Sequence, residues 1–218
     1  MSKKLIAACM AIAAFAALAV ASTASAAPVL TQPTGTVVPT GTAVVGKNVT
    51  ETKMTTSLGT VTCSSAVMEG TVSNNATASG SKGTVTNASF TGTGSEGECT
   101  SWTGGVSVTA GVAGGLPWCL EATTSTDVGK VRGGKCSEVS RGIKFALDFT
   151  SIGTCVYNRS TAAEGSLTTD VTNEVATVSL EKQTWTKVEG GGLCPSEGSL
   201  DMTFALQTSG GSSMYFSS

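Results

Sequence analysis

The chain has no histidine in 218 residues, and that absence removes several chemistries at once. Ser-His-Asp and Cys-His mechanisms have no general base of the usual kind. Zinc sites lose their commonest nitrogen ligand, and no Cys-x-x-Cys pair is present to replace it. No Asp-x-Asp run marks a calcium loop. The glycine-rich stretches "VRGGKC" and "KVEGGGLC" are short and lack the Lys-Ser/Thr ending of a phosphate-binding loop. No metal or other cofactor is therefore expected. Charged residues are only 13% of the chain and aromatic residues 5%. No Lys/Arg cluster stands out, which disfavours a nucleic-acid partner, because phosphate neutralisation needs a basic stripe.

Long apolar runs are also missing, except at the start. Lys3 and Lys4 precede an Ala-rich apolar run from Leu5 to Val20, followed by "ASTASAAPVL". A basic start, an apolar core and a small-x-small site describe a secretory signal peptide over residues 1–26, cut after Ala26. Cys9 lies too early in that run for a lipid anchor. Nothing later is long enough to span a bilayer, so no membrane span is expected after cleavage and the protein is expected to be extracellular. Without Lys3 and Lys4, 11 basic side chains face 15 acidic ones, a net charge of −4.

What remains is rich in Thr, Ser, Gly and Val and contains six cysteines: Cys63, Cys99, Cys119, Cys136, Cys155 and Cys194. An even count in an exported chain reads as three disulfides, with 15 possible pairings. A repeated phrase narrows the choice. "TSLGTVTC" ends at Cys63 and "TSIGTC" ends at Cys155. Each is followed by strand-like segments, a Gly-rich stretch and a closing cysteine, 36 residues on in the first case and 39 in the second. An internal two-fold repeat predicts equivalent bonds: Cys63–Cys99 and Cys155–Cys194, leaving Cys119–Cys136. Each bridge would contribute about 3–4 kcal/mol by loop-closure entropy. The predicted repeat halves run from about 50 to 117 and from 143 to 212, joined by 118–142.

Apolar residues alternate at Val106/Val108/Ala110/Val112, at Ile143/Phe145/Leu147/Phe149 and at Leu200/Met202/Phe204/Leu206. That period belongs to half-buried strands, and the Gly pairs and Asn/Ser/Thr runs between them read as turns. The expected fold is an all-β, disulfide-stapled, Greek-key-like sandwich over residues 46–218. "PTGTVVPTGTAVV" makes residues 27–45 a Pro-headed tether or edge arm. Such an arm could instead add as a strand to another copy's sheet. The tail "MYFSS" reads as a last short strand.

"TKMTTSLGTVTC", "ASFTGTG", "GLPWCLEAT", "GKVRGGKC", "GTCVYNRS" and "GGLCPSEGSL" occur in that order. In these blocks the chain resembles a set of secreted β proteins of soil actinobacteria that have no established activity. "GTVTNASFTGTGSEGEC" with the following "GLPW" is more weakly similar to secreted activators of alkane oxidation, over about residues 60–118. The first resemblance implies a secreted β fold. The second implies contact with apolar compounds and transfers no functional residue.

Carboxylates are scattered singly. Glu96, Glu98 and Glu121 fall in apparent loops, while Asp148 and Asp201 fall on the polar faces of strands. Of the three tryptophans, Trp118 is expected to pack on its neighbouring disulfide. Trp102 and Trp185, both in polar surroundings, are the candidates for exposed ligand-binding aromatics. The sequons at Asn48, Asn75, Asn87 and Asn158 are expected at the surface. Three roles follow. The first is a non-catalytic structural or surface-interaction protein, self-associating through its arm or binding a cell-surface polysaccharide. The second is a ligand-binding module for polysaccharide or an apolar small molecule. The third is a hydrolase using two converging carboxylates.

Overall fold

The computed structural model describes residues 27–110, 115–122, 128–168 and 175–217, so the signal peptide expected over 1–26 lies outside the described residues. The described chain is all-β, with one 3-10 turn at Ser95–Gly97 and no α-helix. Its first eight strands are β1 (Val29–Thr31), β2 (Ala43–Asn48), β3 (Thr52–Thr56), β4 (Gly59–Cys63), β5 (Ser65–Ala76), β6 (Gly80–Thr91), β7 (Cys99–Ser101) and β8 (Gly104–Thr109). There follow β9 (Trp118–Ala122), β10 (Val128–Gly133), β11 (Ile143–Phe149) and β12 (Gly153–Arg159). The last four are β13 (Ala163–Thr168), β14 (Thr177–Glu189), β15 (Glu197–Thr208) and β16 (Tyr215–Ser217).

The alternation seen in sequence becomes the inward face. Ile143, Phe145, Leu147 and Phe149 of β11 are buried, as are Leu200, Met202 and Phe204 of β15. The strands join into one antiparallel order, β10-β13-β14-β12-β11-β8-β7-β4-β3-β15-β2-β5-β6-β9, which returns to β10. The margins of the layers are thus hydrogen-bonded to each other, and closure leaves no long exposed edge to template aggregation. The pairing of β14 with β15 divides this circuit in two. One eight-stranded ring is β14-β12-β11-β8-β7-β4-β3-β15. The other is β10-β13-β14-β15-β2-β5-β6-β9.

Pairings in the two parts of the chain correspond. The hairpin β3/β4 matches β11/β12, and both close on the repeated phrase. The pairs β2/β5, β5/β6 and β6/β8 match β10/β13, β13/β14 and β14/β15. The cross-connections are reciprocal: β8 pairs with β11, and β15 pairs with β3. The bridges are Cys63–Cys99, Cys119–Cys136 and Cys155–Cys194, the pairs that the repeated phrase implied.

The arm is built into this structure. β1 pairs with β16, so the two ends of the described chain form a small sheet of their own. Leu30 and Val38 pack with Val72, Leu167, Val178, Met214 and Phe216 in a second core, and Val29, next to Leu30 on β1, is buried as well. Asn75 latches the arm. Its side-chain oxygen accepts from Leu30 N at 2.8 Å, and its amide donates to the carbonyls of Leu30 and Val38, each at 2.8 Å. The two Pro-Thr-Gly units form turns, with Gly35 at φ 78° and Gly41 at φ 89°, values that favour glycine. They fold the arm back so that β2 enters the barrel between β5 and β15.

Three of the four sequons, at Asn48, Asn75 and Asn158, are half-buried, and side-chain bonding to the backbone accounts for the first two. Asn48 donates to the carbonyls of Thr50 and Ser64 and accepts from Ala66 N, so it serves as a backbone clamp as Asn75 does. Asn158 has a buried side-chain oxygen, and Asn87 alone of the four lies at an exposed position with only an exposed partner, Glu69.

Candidate functional site: the Trp102 apex and the barrel interior

Trp102 sits at the tip of the β7/β8 hairpin and is 39% exposed. One side of its ring rests on Phe149, with centroids 5.3 Å apart at 47°. Beneath it lies Gly59, where a Cβ would stand 2.7 Å from the indole Cε3. The φ of 139° at Gly59 serves the β3/β4 turn, so one glycine both closes the repeated phrase and seats the indole. Leu58, on the same turn, is also exposed. Polar side chains flank the ring: Ser101 and Thr103 are linked through their hydroxyls at 2.8 Å. The result is an aromatic platform with apolar and hydroxyl neighbours, held from below.

Trp185 is not part of that surface, which corrects the sequence expectation. It is 2% exposed and meets Phe145 edge to face at 4.8 Å. The cause is a register shift in β14 between Leu180 and Gln183, with Lys182 at φ 48°. A bulge adds a residue and reverses which positions face inward. Val178 and Leu180 point in before it; Trp185 points in after it. Trp118 also departs from expectation. Strand alternation turns it away from its neighbour Cys119 and into the main core, where it shares a cavity wall with Cys63.

Two cavities occupy the interior. The first, of about 70 Å³, lies inside the second ring and draws wall residues from all eight of its strands. Leu30 and Phe216, from the small sheet made by the chain ends, also line it. Mid-strand glycines Gly46, Gly70, Gly83 and Gly129 form part of this wall. The second cavity, of about 40 Å³, lies among Thr52, Trp118, Phe145, Trp185, Met202 and their neighbours. Val131 and Leu180 belong to both walls, so the cavities abut.

Glu164 and Glu181 line one open recess, while Glu69, Glu98, Asp148 and Asp201 bind separately. Their hydrogen bonds and ion pairs among the described residues run to separate partners: Glu69 to Asn87, Glu98 to Ser107, Asp148 to Thr154, Asp201 to Lys182 N. Glu121 lies on β9 rather than in a loop. It is bound by Arg132 at 3.1 Å and Lys82 at 3.5 Å. Arg132 also donates to the carbonyl of Cys136 at 2.9 Å, tying this ion cluster to the Cys119–Cys136 loop. Among the described residues no group of three or more His, Cys, Asp or Glu side chains is placed to hold a metal ion, and no helix is long and apolar enough to cross a membrane.

Among the described residues Tyr157 is the one group with a strong shift. Burial pushes its phenol up to about 12, and its hydroxyl donates to the carbonyl of Pro195 at 3.2 Å. A phenol whose folded value exceeds its ordinary 10 contributes stability that is complete below pH 10 and is lost as pH rises through about 12. The chain has two tyrosines, so ultraviolet titration of the folded protein should show one phenolate forming only near pH 12. Tyr157→Phe should abolish that late step; an unchanged titration would place the shift elsewhere.

Comparison with protein-family models, curated proteins and solved structures finds no match to this chain.

Proposed function

We propose that this is an exported, non-catalytic protein with a structural or surface-interaction role, and that its contact surface is the Trp102 apex. The carrying observation is a half-exposed indole fixed between Phe149 and Gly59 on hairpin tips of a closed, disulfide-stapled barrel. A pre-positioned aromatic gives contact area at low entropic cost, and its hydroxyl neighbours suit the faces and edges of sugar rings. The basic-apolar start of the chain and its three disulfides support export. The separate pairing of Glu69, Glu98, Glu121, Asp148 and Asp201 favours a role without hydrolysis. Co-sedimentation of oxidised residues 27–218 with insoluble cell-wall polysaccharide tests the reading. Trp102→Ala should lose most of the retained fraction, while retention equal to the unaltered protein would end it.

The correspondence of strand pairings between the halves supports duplication of one strand-loop-strand unit as the origin of the fold. Self-association through the arm would require β1 to leave its own β16 and Asn75 for those of another copy, because all these contacts are made within one chain.

A second reading, uptake of a small apolar molecule, is favoured by the 70 Å³ cavity and its glycine wall. At about half the 150 Å³ that accommodates benzene, it suits a slender occupant. A Cβ at Gly83 would meet nothing nearer than 3.6 Å, so Gly83→Ala should be tolerated, with a gain of up to about 1 kcal/mol in urea unfolding. It should also weaken binding of xenon, measured by chemical-shift titration. Unchanged xenon binding would place the gas outside this cavity.

A further inference from the structure

Around the closed ring β14-β12-β11-β8-β7-β4-β3-β15 every strand is antiparallel to its neighbours, so strand directions alternate. The hairpins β3/β4, β7/β8, β11/β12 and β14/β15 therefore all turn at one rim. The small sheet of the chain ends lies at the other end of the β14/β15 ribbon, where Met214 bonds to Ala176 and Leu206. Neighbouring tips touch. A Cβ on Gly59 would meet the Trp102 ring, which rests on Phe149, and Thr150 Oγ1 donates to the Gly105 carbonyl at 3.3 Å. Gly190 lies against Thr154 and Cys155, and Gly198 against Thr55 and Thr56, which completes the circle. Eight tilted strands about 4.8 Å apart make a rim about 16 Å across.

Each tip carries an apolar side chain among hydroxyls and glycines: Leu58 in "TSLG", Trp102 in "SWTG", Ile152 in "TSIG" and Leu193 in "GGGLCPS". Leu58 and Leu193 are 48% and 67% exposed, Trp102 is partly exposed and Ile152 is half-buried. None of residues 56–59, 101–104, 150–153 and 190–196 is charged. Carboxylates sit just below. Glu98 is bonded to Ser107 and Asp148 to Thr154, while Glu189 and Glu197 are exposed at the adjoining ends of β14 and β15. The nearest cations are engaged. Lys187 donates to the carbonyls of Gly191 and Cys194, each at 3.2 Å, and Lys53 pairs with Glu51 at 3.1 Å.

We infer that the whole rim is the binding face, that its partner is a flat array of uncharged polysaccharide chains, and that the acidic belt rejects anionic polymers. This rests on the reading of Trp102 as the contact point and adds the width and the charge of what is bound. Sugar rings present apolar C–H faces edged by hydroxyls, and the four tips repeat that mixture. Trp102 is seated on Phe149 and Gly59, and Ile152 packs on the main core, so these groups suit stacking on a surface rather than insertion between lipid tails. Two copies set rim to rim would oppose their acidic belts, and like charges across an interface cost affinity.

The test is co-sedimentation of oxidised residues 27–218 with microcrystalline cellulose and chitin, and with carboxymethylated forms of both. Leu58→Ser and Leu193→Ser, at exposed positions that spare the core, should each weaken retention on the neutral polymers roughly fivefold. Val139→Ser, at an exposed site in the β10–β11 connection, should leave it unchanged. The carboxymethylated forms should retain little at low salt, and Glu189→Gln with Glu197→Gln should raise that amount. Loss with Trp102→Ala but not with Leu58→Ser or Leu193→Ser would overturn the rim and leave the Trp102 reading intact. So would retention by whole cell wall but by neither neutral polymer, or equal retention on neutral and carboxymethylated forms. Capture by phosphatidylcholine vesicles in place of every polymer would end both readings.

Discussion

Trp185→Ala should lower the free energy of unfolding by about 3–5 kcal/mol, the cost of removing a large buried aromatic and leaving a cavity. The indole is among the largest fully buried side chains and meets Phe145 edge to face at 4.8 Å. Phe145 in turn stacks on Tyr157 at 5.8 Å, so the loss also removes the edge-on support of a second buried aromatic pair. A domain of ordinary stability, about 5–15 kcal/mol, would lose a large share of it. Trp102→Ala should cost about 1 kcal/mol, since that ring is partly solvated and rests on groups that stay in place. Urea midpoints of the two variants decide the matter. Equal losses would mean that the bulge in β14 does not turn Trp185 inward.

Removal of residues 27–38 should be at least as severe. It takes Leu30 and Val38 out of the second core and removes the buried Val29 with them, and burial of three such side chains is worth about 5–9 kcal/mol. It also strips β16 of its only strand partner among the described residues and uncovers Met214 and Phe216. The truncated chain, with its bridges intact, should bind an apolar dye and unfold without a sharp transition. Asn75→Ala provides the graded version. It leaves the Val38 carbonyl without the 2.8 Å bond from the amide and should cost about 1–3 kcal/mol. A truncated chain as stable as the parent would show that the arm is a tether after all.

How much of this was legible in the sequence depends on which physical signal each feature leaves. Strands whose inward face keeps one parity, such as β11 and β15, are read directly from alternation. The disulfide pairs followed from the repeated phrase, since the equivalence of Cys63 with Cys155 does not depend on knowing the fold. Parity fails at a bulge. "EKQTWTK" looks like a solvated stretch because nothing in its composition announces the extra residue at Lys182. Mid-strand glycines were equally silent. Gly46, Gly70, Gly83 and Gly129 leave no periodic signal, yet they line a cavity, a role that depends on the ring being closed. Pro-Thr-Gly units signal turns correctly but say nothing about where the chain goes next. The latch at Asn75, 45 residues from Leu30, is a long-range contact of that kind. The Trp102 seat was half visible: the indole was marked as a candidate, whereas Phe149 and Gly59 beneath it belong to other hairpins.

The most direct test of the account is quenching of tryptophan fluorescence by acrylamide in oxidised residues 27–218, alone and with soluble cell-wall glycan fragments. One of the three indoles should be readily quenched, Trp102→Phe should remove that fraction, and glycan should protect it. Ready quenching of Trp185, or glycan binding that leaves Trp102 as accessible as before, would contradict the claim that the apex is the working surface.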